Sequence, residues 1–181
     1  LRVEFIDVLG PKNDAALFLP HIDNSLERIV NIVAFKRTGE EEIITGEPIC
    51  LTENVENGLV YWDIPEGVYR VFYTIETKGG TAKYHLMDML NPDACKLMLE
   101  AVYVPHYEHF KEYFGNTFMG FFSDEAQFGN DDGCFSILGK EFMLVPISDE
   151  VIDIIAEKIG KERSYVMNLL PLLWHKHTDK L

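Results

Sequence analysis

The sequence predicts an α/β chain in two parts: a small antiparallel β lobe over residues 1–80 and a strand–helix–strand segment over residues 81–181. Three observations predict it. Short apolar runs separated by turn signals fill the first 80 residues, with no long helical period. A helix start at Asn91-Pro92-Asp93 then follows one apolar run and precedes another. The paired glycines Gly79-Gly80 stand between the two patterns and mark the boundary.

In the first lobe, Val3 to Val8 reads as a strand that Gly10-Pro11 ends, and Ile29 to Phe35 and the short Ile43-Ile44 read as two more. Asn57-Gly58 marks a tight turn, because both residues accept positive φ. Leu59 to Trp62 follows. Pro65-Glu66-Gly67 reads as the next turn, and Val68 to Glu76 as a strand rich in β-branched and aromatic residues. Trp62 has two readings, a platform for stacking a sugar ring or a core residue. The usual burial of large aromatics favours the second.

In the second segment, Tyr84 to Leu90 reads as a strand ending near Asp88. Asn91 caps the next helix, Pro92 fits its first position and Asp93 complements its positive end. Ala94, Leu97, Met98, Ala101 and Val102 form the apolar face, which Pro105 is expected to break or kink. A second amphipathic stretch through Tyr107, Phe110, Tyr113 and Phe114 ends at Gly115. Thr117 to Phe122 is nearly continuous in apolar residues, as a strand covered on both faces is. The order predicts a right-handed βαβ unit with a parallel pair. Beyond a polar loop at Asn130–Gly133, a short hairpin is expected near Gly139-Lys140. A helix opens at Ser148 and closes at Gly160, and a last one runs from near Ser164 to before Pro171.

Composition narrows the function. The chain has 181 residues, 47% hydrophobic and 12% aromatic, so it can form a core. Its net charge of −14 argues against partners that demand a positive surface, nucleic acid and anionic membranes, and leaves a neutral substrate open. No apolar run reaches the ~18 residues of a membrane span. The start, Leu1-Arg2-Val3-Glu4-Phe5, carries no initiator Met and no signal-peptide pattern, so a longer parent protein and a cytoplasmic location are expected. Cys50, Cys95 and Cys134 are odd in number and widely spaced, which reads as reduced, buried thiols. His106 and His109, or His175 and His177, match no metal motif, so neither a metal nor another cofactor is expected.

The acidic pair Asp124-Glu125 carries the most chemistry. It stands where an apolar strand leaves a sheet, the edge at which α/β architectures gather their active sites. From position alone, it reads equally as an active-site rim or as the cap of the next segment. Asp88 ends the preceding strand and falls on the same rim if the two strands are neighbours.

Three segments add a resemblance. Leu86-Met87-Asp88-Met89-Leu90-Asn91-Pro92-Asp93-Ala94 is the first. The second runs from Tyr107 and Phe110 through Phe114-Gly115-Asn116-Thr117-Phe118-Met119-Gly120-Phe121-Phe122-Ser123-Asp124-Glu125-Ala126. The third, upstream, is Gly58-Leu59-Val60-Tyr61-Trp62-Asp63-Ile64-Pro65-Glu66-Gly67-Val68-Tyr69-Arg70-Val71. In chain order they resemble bacterial glycoside hydrolases similar to α-L-rhamnosidase-like catalytic barrels, and the stretch from 144–148 through 170–173 resembles the helical region that follows. Ala126 departs from the Pro usual in that pattern and Tyr69 from the frequent Trp.

The resemblance implies a partial (β/α) barrel-like segment over residues 81–181 with the small antiparallel β lobe attached. A whole barrel takes ~250 residues, and only about 100 follow the lobe, enough for about three βα units. The chain is therefore expected to be a piece of a larger hydrolase that cleaves glycosidic bonds in a carbohydrate substrate. Glu125 is the expected general acid and Asp124 its neighbour or a ligand of a sugar hydroxyl. A like charge next door raises one pKa of such a pair, which suits an acid catalyst. Asp88 and Asn91 are the expected substrate-binding residues. The second carboxylate that glycoside hydrolysis needs is expected beyond Leu181, with Asp88 as the local substitute. The alternative is a non-catalytic carbohydrate-binding or structural fragment. An unpaired edge at Thr117–Phe122 would favour a homodimer.

Overall fold

The computed structural model describes residues 1–38, 43–78, 88–122 and 144–178. Two long strands form its frame. β1 (Arg2–Phe18) and β5 (Leu59–Thr77) pair antiparallel from Arg2↔Ile75 to Phe18↔Leu59. β2 (Glu27–Arg37) pairs with the other side of β5, and β3 (Ile44–Cys50) extends the sheet beyond β2. The order is β1-β5-β2-β3, with the short β4 (Val55–Glu56) hairpinned onto the start of β5. As the sequence predicts, Asn57 and Gly58 make that turn, both at positive φ.

Two expected turns are bends instead. Gly10-Pro11 and Pro65-Glu66-Gly67 interrupt β1 and β5 without reversing them. The register steps from Gly10↔Gly67 to Lys12↔Ile64, which leaves Pro11, Pro65 and Glu66 outside the ladder. Proline cannot donate to a ladder, so both prolines fall where pairing lapses. The bend turns the first half of β5 over the second. Val60, Trp62 and Ile64 thereby join Tyr69, Val71 and Tyr73 in one core with Ala15, Ile32, Ala34 and Leu51. The opposite face carries Val3, Val33, Phe35, Ile44 and Phe72, covered by Val145 and Trp174. Burial on both faces explains the unbroken apolar run Val71-Phe72-Tyr73.

The same face holds a charged group. Arg70, 2% exposed, donates from Nε to Asp7 Oδ1 at 2.7 Å and from Nη2 to Oδ2 at 2.9 Å. Its guanidinium lies 3.9 Å from the centre of the Phe5 ring. The two-point hydrogen bond and the aromatic face offset the cost of burying the charge.

The tail folds onto the sheet. α3 (Asp149–Ile159) begins at Ser148, whose Oγ accepts from the Val151 amide at 3.3 Å, and ends at Gly160 with φ +63°. α4 (Arg163–Leu169) packs back on it through Ile152, Ala156 and Val166. Polar ties hold the tail to the sheet. Among them, Asn31 Nδ2 donates to Met167 O at 2.8 Å, the Ile44 amide to Lys176 O at 3.2 Å, and the Thr178 amide to Ile44 O at 3.1 Å.

Between the sheet and the tail runs a helical segment. α1 (Pro92–Met98) starts at the predicted Asn91 cap. A π-helical turn, Leu99–Tyr103, leads into α2 (Val104–Phe110). Pro105 therefore does not end the helix. The wider π turn lies where proline's missing N–H and its ring would disturb a regular α ladder.

The expected partial (β/α) barrel-like segment is contradicted. The described chain is α+β, a mostly antiparallel sheet with short helices, and it contains no (β/α) barrel units. Thr117–Phe122 is not a strand. Phe118 turns back on Phe114 with ring centres 4.6 Å apart, and Phe121 on Tyr103 at 4.7 Å. Gly120 takes φ +143°, and Met119 and Phe122 stand 85% and 93% exposed. The run is apolar because it closes a local aromatic cluster on the preceding helices, not because a sheet covers it twice. These residues thus form no unpaired strand edge for self-association. The Gly79-Gly80 boundary, most of Tyr84–Leu90 and the expected hairpin at Gly139-Lys140 lie outside the described residues. No described helix is long and apolar enough to cross a membrane.

Candidate functional site

Glu125 and Asp124 lie outside the described residues. Asp88 and Asn91 are described, and the fold brings them together. Both line an open cleft of about 560 Å³ between the paired ends of β2 and β5, the start of α1 and the start of α3. Its floor is apolar, with Ile29, Ile147, Ile152 and Met167. Its rim is polar, with Arg28, Glu76, Asp149, Glu150 and Arg163 beside the two expected residues. An apolar floor with a few converging polar groups is how ligand clefts are commonly built.

Local chemistry places each rim group. Asp88 Oδ1 accepts from the Leu90 amide at 2.9 Å, and the Asn91 amide donates to Asp88 O at 3.1 Å, which closes a turn. Asn91 Oδ1 then accepts from the Asp93 and Ala94 amides at 2.9 and 3.3 Å and caps α1. One oxygen of each side chain is thus spent on structure. Asp88 Oδ2 and Asn91 Nδ2 remain as an acceptor and a donor toward a ligand. Arg28 and Glu76 are cross-strand partners in the β2–β5 register and form an ion pair. Arg163 pairs with Asp149 and Asp153. The backbone nitrogen of Leu1 donates to Val145 O at 2.6 Å beside the cleft.

Sequence reasoning missed Arg28, Glu76, Asp149, Glu150 and Arg163 as cleft residues. Arg28 and Glu76 are 48 positions apart, and only the strand register reveals that they meet. Ser148-Asp149-Glu150 is legible as a helix start, but not as the wall of a cleft.

Other candidates resolve individually. Trp62 is 9% exposed and packs edge-on against Tyr69 at 5.3 Å, so it is a core residue and offers no face to a sugar. His106 Nδ1 lies 2.6 Å from Val102 O, one turn back on its own helix. His175 packs against Phe72 at 4.7 Å and His177 against Phe35 at 5.7 Å. Among the described residues no group of His, Cys, Asp and Glu is arranged to hold a metal ion. Cys50 is exposed, contrary to the expected burial, and Cys95 is half-buried.

No protein-family model, curated protein or solved structure matches the chain.

Proposed function

We propose that the chain is part of the catalytic region of a glycoside hydrolase, with Glu125 as the general acid and Asp124 beside it. One observation carries the reading. Segments 58–71, 86–94 and 107–126 bear, in order, the residues that resemble rhamnosidase-like hydrolases, and they end on the Asp124-Glu125 pair. The cleft supports it, because Asp88 and Asn91 lie on one polar rim with a free acceptor and a free donor. A neutral sugar presents hydroxyls to both kinds of group, and the chain's charge of −14 disfavours anionic ligands.

In this reading Glu125 protonates the departing glycosidic oxygen, and a second carboxylate attacks the sugar or activates water. The test compares the intact protein with its Glu125→Gln variant on an alkyl glycoside. The variant is expected to bind the sugar as the wild type does and to turn over ~10²-fold or more slowly. Near-wild-type turnover by the variant overturns the assignment. Sugar binding without turnover by the wild type assigns the chain instead to a non-catalytic carbohydrate-binding module.

A further inference from the structure

We draw no further inference here: the strongest candidate, the apolar surface patch that residues 92–122 expose through Leu97, Tyr107, Tyr113, Met119 and Phe122, carries nothing because nothing in the structure shows what covers it.

Discussion

Gly10 lies directly opposite Gly67 at the bend of the β1–β5 ribbon, and a β-carbon on Gly10 would stand 1.9 Å from the carbonyl oxygen of Pro65. The two backbones approach there more closely than any side chain allows, and this approach lets β5 fold over its own inner face. Gly10→Ala is therefore expected to destabilise the fold by about 3 kcal/mol, as overpacking against a fixed backbone does. Gly58→Ala is the control. Its φ of +79° strains alanine, but the added carbon meets open space, so the cost is about 1 kcal/mol. Urea denaturation of both variants checks the order. Equal losses would mean that the bend does not depend on the Gly10 contact.

Acid is expected to weaken the sheet through two carboxylates. Hydrogen bonds from Arg2 hold the Glu27 pKa down at about 2, against an ordinary value of 4.5. Hydrogen bonds from Arg70 likewise hold Asp7 below its ordinary value of 3.8. A depressed folded-state pKa contributes stability that is fully present above the ordinary value and lost as pH falls through the depressed one. Unfolding free energy should thus decline from about pH 5 toward about pH 2. Glu27→Gln should be less stable at neutral pH and decline less steeply. Parallel pH profiles for the variant and the wild type would remove Glu27 from the account.

Asn31, 3% exposed, couples the tail to the sheet by donating to Met167 O and accepting from Thr52 Oγ1 at 2.9 Å. Asn31→Ala removes two part-buried hydrogen bonds, although Met167 O keeps the Leu170 amide, and is expected to cost about 1–3 kcal/mol. Hydrogen exchange should report the loss first in α4, with the β1–β5 ladder keeping its protection. A uniform loss across the chain would show that the tail and the sheet open as one unit.

The elements that local chemistry determines were legible in the sequence. Asn57-Gly58 turns the chain, Asn91 caps α1, and Ser148 and Gly160 bound α3, because each needs only its immediate neighbours. What depends on distant partners was not. A glycine–proline pair signals a lapse in a ladder but not whether the chain reverses, so the bends at Gly10-Pro11 and Pro65–Gly67 read as turns. An apolar run reports burial but not the surface that buries it. Thr117–Phe122 therefore read as a two-faced strand, whereas Phe118 and Phe121 close an aromatic cluster on nearby helices. Of the cleft, Asn91 was legible as the cap of α1, but that it and Asp88 line one cleft with β2, β5 and α3 depends on distant partners. The Arg28–Glu76 wall was not legible either, since it exists only once β2 and β5 are in register.

The proposed acid role of Glu125 is tested most directly by a leaving-group series. Glycosides of one sugar with increasingly basic leaving groups are hydrolysed by the intact wild-type protein and by Glu125→Gln, and the kcat/KM values are compared. The account predicts that the ratio of wild type to variant stays near unity for an activated aryl glycoside, whose departing oxygen needs little protonation. It should climb to ~10² or more for an alkyl glycoside. A ratio that does not change along the series would contradict a general-acid role for Glu125, and absence of hydrolysis by the wild type on every member would contradict the glycosidase reading itself.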